Sequence, residues 1–170
     1  NINHRKLLEE AQQKEQIYDV LTSFYRLGYG LRAVQAARAD KPAGTMLMID
    51  IDKFSRINEK YGLVFGDIVV EKLAALIIDV CRKLIVEVPV FVRAGADQLL
   101  VWIPGEKTEK VLGVADELRR EIGNLTNDNY LELNFRAGLS YAANRDIKAN
   151  EIFDQVRIAL TAAKNSGHGD

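Results

Sequence analysis

Apolar residues recur along this chain in two ways, every three or four positions in some stretches and as short continuous runs in others. The first spacing predicts helices, and short apolar runs bounded by turn residues predict buried strands. Helices are predicted over residues 31–39, over 54–61 before Gly62, from a cap at Asp67 through 84, over 111–122 and over 152–163. Strands are predicted over residues 45–49, 88–92, 99–103 and 131–142.

The order of these elements predicts a fold class. Strands 88–92 and 99–103 flank a polar turn containing Gly95, which is typical of a β-hairpin. The order strand, helices, hairpin, helix, strand, helix indicates a ferredoxin-like α+β core, an antiparallel sheet flanked by helices.

The first segment has a different pattern. Residues 3–21 contain no glycine or proline and predict a helix. Five of its residues are spaced alternately four and three positions apart, which predicts the seam of a coiled coil. The alternative is an amphipathic helix packed on its own domain. The seam is formed by Leu7, Ala11, Lys14, Tyr18 and Leu21. We expect a linker helix over residues 1–18 and a domain over 19–170, and a start at Asn1 without methionine indicates a piece of a longer protein.

Composition excludes several classes. The chain has 170 residues, 48% of them hydrophobic and 28% charged, which indicates a globular domain. Its net charge of -1 provides no overall positive electrostatic field that would attract nucleic acid or an anionic membrane. The lone Cys81 excludes an internal disulfide and indicates a core thiol. No apolar stretch approaches membrane-spanning length, so we expect a cytoplasmic domain, or the cytosolic part of a larger membrane-anchored protein.

Two acidic positions could carry chemistry. Asp50 and Asp52 lie two residues apart at a predicted strand end, so their carboxylates share one face, as a Mg²⁺ site would need. The alternative is that they cap the next helix. Asp97 begins the returning strand of the hairpin and could approach Asp50, where converging carboxylates call for a cation, unless it is a polar turn residue.

The residues from 19 to 167 resemble the GGDEF family, whose fold is the palm-like one of nucleotidyl cyclases and polymerases. Its opening D-x-L-T motif is matched from Asp19 to Thr22, and its R-Y-G-G-D-E-F loop by Arg93, Ala94 and a degenerate Gly95-Ala96-Asp97-Gln98-Leu99. The central motif D-x-D-x-F-K-x-x-N-D-x-x-G-H-x-x-G-D is matched at Asp50, Asp52, Phe54, Asn58, Gly62, Gly66 and Asp67. The A-L-Y-x-A-K-x-x-G-R-N motif is matched from Ala159 through Lys164 to Gly169.

The resemblance implies roles for individual residues. Asp50, the backbone carbonyl of Ile51, and Asp97 would hold Mg²⁺, for which Mn²⁺ could substitute. Asn58 and Asp67 would read guanine, and the alternatives are a solvated residue and a helix cap. Lys164 would meet the terminal phosphates, and Asp97 would serve catalysis in an active enzyme.

The sequence departs from the family pattern at several positions. Ala96 replaces a glycine that allows positive φ and close approach to the nucleotide, which alanine resists by roughly 1 kcal/mol. Gln98 replaces an acid and supplies neither charge nor a base. The product-inhibition motif R-x-x-D is absent, because residues 86–89 read Val-Glu-Val-Pro. Polar or basic family positions are also altered at Arg26, Leu27 and His168.

These observations favour a GTP-binding regulatory module of cyclic-di-GMP signalling with weak or no diguanylate cyclase activity. The alternatives are an active diguanylate cyclase, which joins two GTP in a dimer, and a nucleotide-free interaction scaffold. We expect GTP as ligand, an upstream sensor domain joined through the N-terminal helix, a weak homodimer at most, and no direct membrane contact.

Overall fold

A computed structural model describes residues 1–126 and 132–166. The helices are α1 (Ile2–Ile17), α2 (Leu27–Asp40), α3 (Phe54–Tyr61), α4 (Leu63–Leu84), α5 (Thr108–Thr126) and α6 (Ala149–Asn165). The strands are β1 (Tyr25–Arg26), β2 (Gly44–Ile51), β3 (Val90–Gly95), β4 (Gln98–Pro104) and β5 (Phe135–Ala142).

The five strands form one sheet in the order β1-β3-β4-β2-β5. β2 lies between β4 and β5 and pairs with both in antiparallel register, and β3 and β4 form the predicted hairpin. β1 joins the edge in parallel with β3, so the sheet is mixed. The α+β fold is therefore confirmed, and the two-residue strand β1 was missed because it is too short to show a period.

Helices cover both faces of β2, and all eight of its residues are buried. Leu47, Ile49 and Ile51 pack in the cluster that contains the apolar faces of α4 and α5. Met46 and Met48 point to the other face, in the cluster shared with α2 and α6. A strand that is buried on both faces carries a continuous apolar run, so apolar and polar residues do not alternate along β2.

Several boundaries differ from prediction. β2 extends through Ile51, so Asp50 lies inside the strand. β3 begins at Val90, where its pairing with β4 begins, and Val88 is exposed. α2 begins at residue 27 and not at 31, and β5 begins at Phe135. The predicted strand start at Leu131 lies outside the described residues.

The N-terminal helix lies apart from the core. It ends at Ile17 and not at 21, because Tyr18 leaves the helix to form a bridge and a ring stack with Tyr25. None of its described residues is buried, so packing on its own domain, the alternative interpretation, is wrong. Leu7 of the predicted seam is 64% exposed. No helix in the described parts of the chain is long and apolar enough to cross a membrane.

Arg38 and Cys81 are buried outside the site. Arg38 of α2 is 2% exposed, and its guanidinium donates to the carbonyls of Pro42, Asn144 and Ile147, which ties α2 to the segment before α6. Cys81 is buried, so the prediction of a core thiol is confirmed, and burial raises the pKa of this thiol to about 11.

Candidate functional site

The end of β2 and the turn of the hairpin meet, as the sequence predicted. Asp50 is opposite Gln98 across the β2–β4 ladder, and the Ile51 amide donates to the Asp97 carbonyl at 3.1 Å. The turn itself consists of Ala96 and Asp97, after a bulge between Arg93 and Gly95. This register fixes Asp97 beside Asp50 on the rigid end of a central strand.

The two carboxyl groups interact. Burial, a hydrogen bond to Asp50 and the charge of Asp50 raise the pKa of Asp97 to about 6, while Lys164 opposes the shift. Asp50 is only 4% exposed. Two acids forced together in a partly dry place, beside the Ile51 backbone, fit a hard divalent cation, which would remove their repulsion.

The protein would supply only some of the ligands of a bound metal ion. The described residues contain no group of three or more histidine, cysteine or acidic side chains placed to hold a metal. Mg²⁺ normally keeps several waters and nucleotide phosphates as ligands, so two carboxylates and a carbonyl are a sufficient protein share.

Lys164 reaches this site from the last turn of α6. Its ammonium forms an ion pair with the Asp50 carboxylate. α6 can lie this close because Gly138 of β5 has no side chain, and a Cβ there would be 2.7 Å from the Val156 carbonyl oxygen. Leu160, which packs over Gly138, is one helical turn before Lys164 and so places it above the strand end.

Asp52 follows the strand and has its own cation. Its amide donates to the Asn134 carbonyl at 2.8 Å, and its carboxylate pairs with Arg136 of β5 at 3.2 Å. The cap interpretation of Asp52 is not supported, because the N-cap of α3 is Lys53, held at φ 53°. Arg136 was missed by the sequence analysis, although an arginine inside a predicted strand was a usable signal.

The two predicted guanine-reading residues lie on α3 and α4. Asn58 is half-buried, and its buried Oδ1 has no hydrogen-bond partner among the residues that the structure describes. It lies against Gly66, where a Cβ would be 1.8 Å from that oxygen. Asp67, which follows Gly66 in the sequence, is exposed. Its predicted role as helix cap is wrong, because α4 begins at Leu63 after the N-cap Gly62 and Asp67 is inside the helix.

The signature loop is not strained at Ala96. The non-glycine residues with positive φ in the described ranges are Ser23 and Lys53, so the expected conformational cost of alanine is absent. Ala96 is exposed, and relative to glycine it adds one methyl group to the turn. The Gln98 side chain turns back over Gly95, where a Cβ would be 3.2 Å from Gln98 Oε1.

Arg93 holds the loop in place, a role that the sequence analysis did not assign. Its guanidinium donates to the carbonyls of Gly95 and Ala96 and to both carboxylate oxygens of Asp19. Burial acts to raise the pKa of Asp19, but hydrogen bonds from Thr22 and the charge of Arg93 hold it below its ordinary value. The end of the N-terminal segment is therefore linked directly to the loop that carries Asp97.

The remaining altered positions lie elsewhere. Arg26 is on the edge strand β1 and donates to the Glu15 carbonyl, and Leu27 begins α2. His168 lies outside the described residues. The segment 86–89, where the R-x-x-D motif would stand, connects α4 to β3 and has Val86 95% exposed.

Comparison with known proteins identifies relatives over almost the whole chain. The family model "Diguanylate cyclase, GGDEF domain" matches residues 17–170. Probable diguanylate cyclase DgcT of Escherichia coli (strain K12) is 26% identical over 172 residues, covering 98% of this chain and 35% of that protein. Diguanylate cyclase A of Treponema denticola is 26% identical over 172 residues, covering 98% of this chain and 45% of that protein. The chain thus spans less than half the length of these two relatives.

Solved structures share the fold. The coiled coil and GGDEF domain of DgcB from Caulobacter crescentus, in complex with c-di-GMP, superimposes with a TM-score of 0.82 at 19% identity, covering 99% of this chain and 91% of that one. The S helix-GGDEF-EAL portion of Vibrio cholerae LapD, bound to c-di-GMP, gives a TM-score of 0.73 at 16% identity, covering 96% of this chain and 38% of that one. At such identities the likeness establishes the architecture alone.

Proposed function

Because the chain belongs to the GGDEF domain family, we propose that it acts in cyclic-di-GMP signalling as a GTP-binding regulatory module with weak or no diguanylate cyclase activity. The observation that carries the proposal is the buried Oδ1 of Asn58, which has no partner in the described part of the chain and lies against Gly66, the residue before the exposed Asp67. A buried acceptor without a donor is costly in a folded protein and favours a ligand that supplies one.

Guanine suits this pair of residues chemically. Its N1–H and exocyclic amine are adjacent donors that a carboxylate accepts together, and the Asn58 amide can both accept and donate at another edge of the base. Adenine lacks that donor pair and would leave the Asp67 carboxylate without it. The site should therefore prefer GTP to ATP.

The triphosphate end would lie at the strand end. Asp50, the Ile51 carbonyl and Asp97 would hold Mg²⁺ or Mn²⁺, which would supply charge neutralisation for the phosphates. Lys164, which pairs with Asp50, would be available to a phosphate oxygen if a metal ion neutralised that carboxylate.

The site is less suited to catalysis than to nucleotide binding. Turnover would require a 3′-hydroxyl to lose its proton as it attacks the α-phosphate of a second GTP. Gln98 lies opposite Asp50 on the neighbouring strand, where an amide neither accepts that proton nor adds charge. Loss of one such carboxylate can reduce the rate of phosphoryl transfer by several powers of ten.

The test is a calorimetric titration of the domain with GTP and with ATP in Mg²⁺, together with chromatography for cyclic-di-GMP. We expect tighter binding of GTP, loss of the preference in Asp67→Ala without loss of thermal stability, and no product above background. Equal or absent binding of both nucleotides would favour the scaffold alternative. Robust product from the unmodified sequence would favour the active cyclase.

The N-terminal helix completes the proposal. α1 is exposed along its length and is attached to the domain through Tyr18, Asp19 and Arg26 at its end. We propose that residues 1–18 link an upstream sensor to a cytoplasmic domain over residues 19–170. The short seam, interrupted by Lys14, predicts a monomer or weak dimer, and a tight dimer in analytical ultracentrifugation at micromolar concentration would contradict this.

A further inference from the structure

Arg136 lies beside the candidate site, and its pair with Asp52 is the one ion pair that it forms within the described part of the chain. It is the cross-strand partner of Asp50 in the β2–β5 ladder, so both side chains project from the same face of the sheet. Its side chain is 25% exposed, and its buried Nε has no hydrogen-bond partner within residues 1–126 and 132–166. Among the described residues its one ionic partner is Asp52, 3.2 Å from Nη2.

This is an unusual state for an arginine. A guanidinium presents five N–H donors in a planar fork, and donors removed from water normally have partners. Since Asp52 contacts one end of the guanidinium, the other donors, including the Nε–H that has no described partner, are available to a second group. Phosphate oxygens match this fork better than most acceptors, because two parallel hydrogen bonds can form.

The surroundings point to the same ligand. Three carboxylates, those of Asp50, Asp52 and Asp97, lie around the end of β2. Lys164 pairs with Asp50 and Arg136 pairs with Asp52. A bound divalent metal ion or rearranged water molecules could replace Lys164 and Arg136 as the partners of these carboxylates. Both could then turn to an anion placed over the strand end.

We propose that Arg136 binds a phosphate oxygen of the nucleotide triphosphate, so that it forms a two-cation phosphate site with Lys164. This inference rests on the proposed binding of GTP and assigns its phosphate end to a residue of this chain. The contrasting role is structural, in which Arg136 serves only as the counter-ion of Asp52.

The experiment compares GTP with guanosine, which has the base but no phosphates. Calorimetric titrations in Mg²⁺ use the unmodified domain, Arg136→Met, Arg136→Lys and the control Arg82→Met. Arg82 is an exposed arginine in the last turn of α4, roughly 22 Å along the helix axis from Asp67, so the control removes the same charge far from the site. We expect Arg136→Met to weaken GTP binding roughly 10- to 100-fold, as loss of a charged hydrogen bond should.

Guanosine affinity should stay within about twofold in Arg136→Met, and Arg82→Met should leave both ligands unchanged. Arg136→Lys, which keeps the charge but loses the fork, should give an intermediate GTP affinity. If Arg136→Met does not fold, Arg136→Lys decides: weaker GTP with unchanged guanosine supports the proposal, and unchanged affinity for both overturns it.

The failures of the two proposals differ. If Arg136→Met is folded and binds GTP as tightly as the unmodified domain does, while guanosine binding still depends on Asp67, the phosphate role is wrong and the guanine site stands. If the unmodified domain binds neither GTP nor guanosine, both proposals are wrong. A fall in the affinities for GTP and guanosine by the same factor would identify the structural role.

Discussion

Substitution of Gly66 by alanine tests the packing that shapes the guanine site. In a helix, Gly→Ala normally stabilises by about 0.5–1 kcal/mol, because alanine has less backbone freedom to lose. At Gly66 the new Cβ would be 1.8 Å from Asn58 Oδ1, 3.0 Å from its Cγ and 3.3 Å from Phe54 Cζ. Asn58 must therefore move, and such overpacking costs about 1–3 kcal/mol. The net change should be a destabilisation of roughly 1 kcal/mol.

Gly113→Ala is the matched control. Gly113 lies in the first half of α5. Apart from its chain neighbours and the backbone of its own helix, no described atom lies within 4 Å of the position that the new methyl group would take, so this variant should gain the full stabilisation expected for Gly→Ala in a helix. Thermal or urea unfolding should separate the two variants by about 2 kcal/mol, and GTP affinity should fall roughly tenfold in Gly66→Ala alone. Asn58→Ala added to Gly66→Ala should restore stability. Equal stabilisation by both alanines would refute the reasoning, because Asn58 would then not occupy that space.

Three further outcomes are expected. In EDTA, Asp97→Asn should raise the free energy of unfolding by about 1 kcal/mol at pH 7, because the folded pKa of the Asp97 carboxyl is about 6 and its unfolded pKa is lower, so ionisation destabilises the folded state. This gain in stability should vanish below about pH 4, where the carboxyl is protonated in both states. A gain that persists below that pH would contradict the charge argument. Arg38→Met should cost about 3 kcal/mol in urea unfolding by leaving three carbonyls unpaired, whereas exposed Arg32→Met should change stability by less than about 0.5 kcal/mol. Arg93→Met should increase amide hydrogen exchange at Ala96 and Asp97, and unchanged exchange would show that the loop is held without it.

Local patterns were enough to predict most of the fold. The apolar positions Val111, Val114, Leu118 and Ile122 are all buried on α5, since a stripe of period 3.6 has one way to face a core. The hairpin was predicted from two apolar runs and a turn, and its position beside the first strand followed from the βαββ order. Asp50 and Asp97 could thus be brought together from the sequence.

Other features depend on contacts between distant segments, which no local pattern encodes. The pairing of Arg136 with Asp52 follows from the β2–β5 register, and the link from Arg93 to Asp19 spans 74 positions. The backbone at Ala96 could not be inferred from the glycine that the family has there, because the bulge after Arg93 allows the turn to close without positive φ. Sequence by itself thus determined which residues could form the site, and the tertiary structure decided which charges meet there, because ion pairs depend on separations of a few ångströms set by strand register and helix packing.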